Sequence, residues 1–554
     1  MEYDYIIVGS GSAGAILADK LSADGRHTVL VLEAGQRDDS FWFKVPVGFT
    51  KTYYNRKYNW MYYSEREPAL ADRPIYCPRG KVVGGSGAIN AMVYVRGQRV
   101  DYDDWAAAGN PGWSYDDVLP VFRRLETHPF AQSAPQWHGG SGPIHVTPMT
   151  DDVHPIVHEF LAGCGELGLP RSQDFNGAQF EGAGIYELNT KNGERCSSAV
   201  AYLHPALARP NLTMLTSALV RRVTFEGKRA TGIAYAHEGR EQHVTARREV
   251  ILCAGAVDTP KLLQLSGIGD PVRLVRHGIA TVQALPAVGR NLQDHLCVSF
   301  YFKANRPTLN DEMGTLFGKM KIGLRYLLQK RGPLAMSVNQ AGGFFRGDAA
   351  QEMPNLQLYF NPLSYRIPKS DRASIKPEPY SGFLIAFNPC RPSSRGSIEL
   401  ASARAEDAAK IRINALSTDK DLAEAVQGSR LIRRLMTAPS LRAMTIEEIS
   451  PGPAVQSDEE FLQYFREQSG SIYHLCGSCA MGDDPRTSVV DARLRVHGIA
   501  GLRVVDASIF PNITSGNINA PTMMVAEKGA DMILEDAASE AAHKPHAADL
   551  AAAA

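Results

Sequence analysis

Asp4-Tyr5-Ile6-Ile7-Val8 runs directly into Gly9-Ser10-Gly11-Ser12-Ala13-Gly14, and an acid, Glu33, stands nineteen residues beyond Gly14. An apolar strand that ends on G-x-G-x-x-G must turn tightly and enter a helix, here predicted over Ala15 to Leu21. A second strand, Thr28 to Leu32, ends on the acid. Together these make a complete βαβ dinucleotide-binding unit. Gly9 permits the turn, Gly11 lets backbone approach a pyrophosphate, and Gly14 lets helix and strand pack closely. Free N–H groups at the helix start favour an anion, and Glu33 is placed to accept from ribose hydroxyls. The unit alone does not distinguish one dinucleotide from another.

A chain of 554 residues exceeds one hydrophobic core, so two domains or one discontinuous pair are expected. Lys plus Arg equals Asp plus Glu, 59 each. That balance argues against nucleic acid or an anionic surface as the main partner. No apolar run has the length of a membrane span. The first residues already build a strand, so no signal peptide is read. A cytoplasmic location is expected, with peripheral contact at the inner membrane left open. The eight cysteines are scattered, and only Cys476 and Cys479 lie close together. A zinc site would need a second pair or histidines at ligand spacing, so neither metal nor disulfide is expected.

Strand-like and helical stretches alternate without an internal repeat. Phe41 to Tyr63 is polar and aromatic with little periodicity, and reads as a surface excursion. The glycine-rich run Gly80 to Gly97 reads as a second anion-binding turn at a helix start. Strands are predicted at Leu212–Leu215, Leu219–Phe225, Ala230–Ala236 and Glu249–Cys253, with the middle pair a hairpin. A helix from Lys261 to Leu265 stops at Ser266-Gly267. Further strands are predicted at Asn355–Phe360 and Gly382–Asn388, and helices at Leu422–Leu435 and from about Ala520 to Leu534. The Ala-rich tail, 537–554, is expected to be disordered.

Two long stretches carry a family resemblance. Gly80 to Asp103 resembles the first signature of the glucose–methanol–choline (GMC) flavin oxidoreductases, with Gly84, Gly85, Asn90 and Gly97 in place. Gly255 to Gly269 resembles the second signature, and Val288 to His295 is similar to a recurrent family segment. The texture is nearest the choline-dehydrogenase-like alcohol dehydrogenase branch. The resemblance implies an α/β fold: a Rossmann-like FAD-binding domain (1–150, 196–300 and 466–536) interleaved with an α+β substrate-binding domain (151–195 and 301–465).

It also implies FAD as cofactor, held by Gly9, Gly11, Ser12, Gly14, Glu33 and Ala34. Gly84, Gly85, Asn90, Val93, Val220, Tyr473, Asp506, Ala507 and Asn519 complete that set. Covalently flavinylated members carry a histidine where this chain has Ile89, so a non-covalent FAD is expected. Tyr473 to Gly482 resembles the active-site segment, with Leu475 in place of proline and Ser478 in place of threonine. His474 falls on the catalytic histidine and Asn517 on a position that is His or Asn in the family. A base of near-neutral pKa suits removal of an alcohol proton as hydride leaves. A helix cap is the lesser alternative for Asn517, since Asn just before a helix often caps it. His295 is given a structural role. Tyr359, Phe360 and Tyr365 are candidates for the substrate pocket, with core packing equally open.

The implied activity is oxidation of a primary or secondary alcohol to aldehyde or ketone, with electrons passed to a quinone or other carrier. Alternatives are an oxidase using O2, a hydroxynitrile lyase with structural FAD, and a non-catalytic FAD-binding protein. A neutral aliphatic, aromatic or sugar-like alcohol is the expected substrate. Oligomeric state is not legible.

Overall fold

The computed structural model describes residues 1–366 and 376–543. The opening unit forms as its residues dictate. Strand β1 (Glu2–Val8) enters helix α1 (Ser12–Ser22) and returns as β2 (Val29–Leu32). Gly14 is required at the turn, because a Cβ there would lie 1.9 Å from the Gly9 carbonyl oxygen. Four more strands follow: β3 (Leu212–Leu215), β4 (Leu219–Glu226), β5 (Arg229–His237) and β6 (Arg240–Leu252). Helix α2 (Gly255–Leu265) comes next, and much later helix α3 (Leu316–Gln329). Strand β7 (Leu502–Val504) and helix α4 (Asn519–His543) close the described chain.

The seven strands form one sheet in the order β3-β2-β1-β6-β5-β4, with β7 paired to β6. The β1–β2, β1–β6, β2–β3 and β6–β7 pairs are parallel, with Ile6 opposite both Leu30 and Val250. Strands buried on both faces need continuous apolar runs, and Ile6, Ile7, Val29, Val31, Val250 and Ile251 are fully buried. Helix α1 packs against α4.

A second, antiparallel sheet has its own core. Its order is Thr445–Ser450, Leu296–Ala304, Gly382–Pro389, Leu356–Asn361, Ala341–Phe345 and Gly182–Ile185, with Gly470–Ser471 joined to the end of Leu296–Ala304. Phe300, Phe360, Phe383 and Phe387 fill one face beneath the helix Asp419–Leu435.

Several expectations need correction. Phe41 to Tyr63 is a surface excursion only in part: Phe41, Trp42 and Tyr63 are exposed, but Phe43, Val45, Phe49 and Tyr53 are buried, the last three packed with Leu309, Tyr326 and Leu363. Gly84 and Gly85 start no α-helix; the next one, Arg99–Ala107, begins only after Gly97. Both glycines are left-handed, with φ of 86° and 53°, and the chain closes instead as a 3-10 turn, Gly85–Ala88. Helix α2 begins six residues before Lys261, with Pro260 in its sixth position. The final helix runs through His543 rather than ending near 534, so 537–543 is not disordered; the rest of the tail lies outside the described residues. Ion pairs hold this extension: Asp536 meets Arg503 at 2.6 Å and Arg493 at 2.8 Å.

Candidate active site

A cavity of about 1010 Å³ lies between the two sheets. The turns after β1 and β6, the Gly85 turn and the start of α4 form one end. The antiparallel sheet lines the other through Tyr301, Tyr359, Leu384 and Ala386.

At the first end, helix α1 has no side-chain cap, so its leading N–H groups are open to a ligand. Gly11 and Gly85 face each other so closely that a Cβ on Gly85 would lie 2.7 Å from the Gly11 Cα. The start of α4 meets the start of α1, where the Ser12 hydroxyl donates to Asn519 Oδ1 at 2.7 Å. Two positive helix ends therefore converge on one stretch of cavity wall. Glu33 is buried, and its carboxylate accepts from the Ser10 N–H (3.0 Å), the Ser10 hydroxyl (2.7 Å) and the Gly35 N–H (2.8 Å). Burial pushes its pKa up against those donors. Asn90 is oriented by Arg195, whose Nη1 donates to Oδ1 and Nη2 to the backbone oxygen, both at 2.7 Å. Asp506 accepts from Gly255 N–H, Thr259 hydroxyl and Ser508 N–H at 2.6–2.8 Å, so its carboxylate anchors α2. An uncapped helix start, a glycine cleft without side chains and a buried acid at one end fit the dinucleotide that the family resemblance implies. Of the residues expected to hold it, all line the cavity except Gly14 and Gly84. Gly14 packs helix on strand, and Gly84 donates its N–H to Ser10 O at 3.0 Å.

His474 and Asn517 come together at the cavity wall, with Asn517 Nδ2 3.2 Å from His474 Nε2. Gln357 Nε2 donates to Asn517 Oδ1 at 3.3 Å, which turns the amide nitrogen toward the histidine. Behind His474, its Nδ1 lies 2.9 Å from His295 Nδ1, and His295 Nε2 lies 2.7 Å from the Cys390 carbonyl oxygen. A carbonyl only accepts, so His295 Nε2 carries the proton. Burial pushes His295 down to about 4, so the ring is neutral and its Nδ1 accepts. His474 Nδ1 must then donate. Burial chiefly, with His295 and Arg79 nearby, pushes His474 well below the usual imidazole value. It is neutral, and its lone pair sits on Nε2, facing the cavity.

Asp294 fixes the backbone of both histidines. Its carboxylate accepts from the His474 backbone N–H at 2.8 Å, the His295 backbone N–H at 2.9 Å and the Ser471 hydroxyl. Burial raises Asp294 to about 6. The signs oppose. As pH falls from 6.5 to about 4, the unfolded chain takes a proton that His295 refuses, which lowers stability. Over about 6 to 3.8, folded Asp294 takes a proton first, which restores part of it. Tyr473, just before the histidine, has a φ of 74°, a region that bulky residues avoid. Arg79 donates to the Tyr473 carbonyl and braces that turn.

Sequence reasoning missed His295, Asp294, Arg79 and Gln357 as partners of this pair. His295 was read as structural, and it does lie in the core, but it touches His474 directly. Tyr359 and Tyr365 line the cavity, whereas Phe360 is in the core. All eight cysteines are free thiols. Among the described residues no cluster suited to a metal ion occurs.

The description GMC oxidoreductase matches residues 3–297 and again 392–526. The chain is 41% identical over 537 residues to the oxygen-dependent choline dehydrogenase of Vibrio vulnificus (strain YJ016), spanning 96% of this chain and 94% of that protein. It is 42% identical over 539 residues to that of Yersinia pseudotuberculosis serotype IB (strain PB1/+), with shares of 96% and 94%. Pyridoxine 4-oxidase from Mesorbium loti superposes with a TM-score of 0.86 at 30% identity, over 96% of this chain and 99% of that one. A formate oxidase gives 0.88 at 26% identity, over 97% and 98%.

Proposed function

The chain belongs to the GMC oxidoreductases, FAD-dependent enzymes acting on CH–OH groups, and from that premise we propose that it oxidises a primary or secondary alcohol with His474 as the base. The observation that carries this reading is the place of His474 at the cavity wall, with its Nε2 3.2 Å from the Asn517 amide nitrogen. Bound FAD supplies the two-electron acceptor for the hydride that leaves the carbinol carbon. His474 takes the hydroxyl proton onto Nε2, and the Asn517 NH2 holds the alcohol oxygen in line. His295 keeps the Nδ1 proton of His474 in place and so prevents the unproductive tautomer. Gly9, Gly11, Ser12, Glu33, Gly85, Asn90 and Asn519 hold the cofactor. Ile89 offers no atom for a covalent link, so FAD is released on denaturation.

Two substrate readings compete. The lining residues of the antiparallel sheet, Cys297, Tyr301, Tyr359, Leu384 and Ala386, are uncharged, which suits a neutral alcohol. Choline, in the names of the relatives, is favoured by the tyrosines and by Glu378 elsewhere on the wall, since a quaternary ammonium seeks rings and a carboxylate. A quinone or similar carrier is the proposed acceptor, and the relatives' printed names favour O2 as the alternative.

The pH profile of anaerobic flavin reduction tests the base. The depressed His474 pKa predicts a rate that is flat above roughly pH 6.5 and falls on the acid side as Nε2 is protonated. A rate still climbing through the alkaline range would assign the proton transfer to a different group.

A further inference from the structure

An exposed apolar helix face lies outside the cavity. Helix α3 exposes Leu316, Phe317, Met320, Leu324, Leu327 and Leu328, each between 59% and 79% accessible. With Phe41 and Trp42 they make up eight of the fourteen large apolar side chains exposed among the described residues, so the surface hydrophobicity is concentrated here. At about 100° per residue the six fall within an arc of roughly 120°. The opposite face buries Gly318, Ile322 and Tyr326. Phe41 and Trp42 are exposed as well, and the Phe41 ring lies 6.4 Å from Tyr326, on the side of the helix that is buried.

Its flanks are basic. Lys319, Lys321 and Arg325 lie on the helix and Lys330 and Arg331 follow it, while the helix contains no acid. Arg325 and Arg331 both pair with Asp152, and Lys330 pairs with Glu194. Lys319 and Lys321 have no ion-pair partner among the described residues. An apolar arc between cations is the pattern of a helix that lies in a lipid interface. A second copy packed on this face would set like charges against each other. No described helix is long and apolar enough to cross a membrane, so the contact is a surface one.

We propose that α3, with Phe41 and Trp42, seats the protein on an anionic phospholipid bilayer. The buried side of α3 reaches the cavity wall: Tyr326 packs in one cluster with Phe49, Tyr53 and Tyr473, all of which line the cavity. Seating by this helix brings the cavity close to a lipid phase in which apolar alcohols and quinones dissolve.

The test is co-sedimentation of the full FAD-loaded protein with vesicles of phosphatidylcholine alone and of phosphatidylcholine mixed with phosphatidylglycerol. The protein is expected to bind the mixed vesicles, less so as salt rises. Leu324→Ser with Leu327→Ser is expected to weaken binding on the order of tenfold. Lys319→Glu with Lys321→Glu is expected to abolish the preference for anionic lipid. Both pairs leave alcohol-driven flavin reduction unchanged, so loss of lipid binding is separable from failure of the catalytic reading. Absence of binding to mixed vesicles overturns the proposal, as does equal binding by the variants. A dimer in lipid-free solution that Leu324→Ser with Leu327→Ser converts to monomer, without vesicle binding, assigns the face to a second copy instead.

Discussion

His474→Gln retains its FAD and reduces it about a thousandfold more slowly on mixing with alcohol, the loss expected when a general base is removed. Glutamine is chosen for a physical reason. Its amide NH2 can still donate to His295 Nδ1, which alanine would leave buried and unpaired. What glutamine lacks is an atom basic enough to take the hydroxyl proton. Asn517→Ala removes one orienting hydrogen bond and leaves the base, so about a tenfold loss is expected there. Single-turnover reduction measured anaerobically distinguishes the two. A His474→Gln enzyme reduced at a near-normal rate would remove His474 from the proton transfer, and an unchanged Asn517→Ala rate would leave Asn517 only its hydrogen bonds to His474 and Gln357, with no part in holding the alcohol.

Gly85→Ala yields protein with at least about tenfold less FAD per chain and a lowered Tm. Gly85 has a φ of 53°, which costs an L-residue roughly 1–2 kcal/mol. The added methyl would also lie 2.7 Å from the Gly11 Cα. Backbone meets backbone at that point, so no side-chain rotation relieves the clash. The loops must separate, and the cleft between them is where the cofactor is proposed to lie. Gly314→Ala is the control: its conformation is ordinary and nothing lies within 4 Å of the added carbon. FAD measured by absorbance against protein concentration reads both variants. Full occupancy in Gly85→Ala would place the cofactor away from this cleft.

The parts of this molecule that depend on near neighbours were legible in the sequence. The β1–α1–β2 unit follows from an apolar run, three spaced glycines and an acid, all within thirty residues. The hairpin of β4 and β5 follows from alternation. The pairing of His474 with His295, 179 positions apart, leaves no periodic trace, and neither does the Asp294 carboxylate that holds both. Phe41 to Tyr63 was misread in part for the same reason. Phe49 and Tyr53 show no helical or strand period because they pack on Leu309, Tyr326 and Leu363, from segments some 250 residues away or more. The long final helix was cut short because Ala-rich sequence has no apolar stripe there. What carries it onward is Asp536 paired with Arg503 and Arg493, again a contact invisible to local pattern.

Anaerobic mixing of the FAD-loaded enzyme with aliphatic, aromatic and sugar alcohols and with choline, followed by visible flavin absorption, tests the central claim most directly. The account predicts that one class bleaches the flavin as its aldehyde or ketone accumulates, and that air or an added quinone restores the colour at a rate that names the acceptor. A yellow protein that no alcohol bleaches, but that cleaves a cyanohydrin without change of colour, would contradict alcohol oxidation and make the enzyme a lyase.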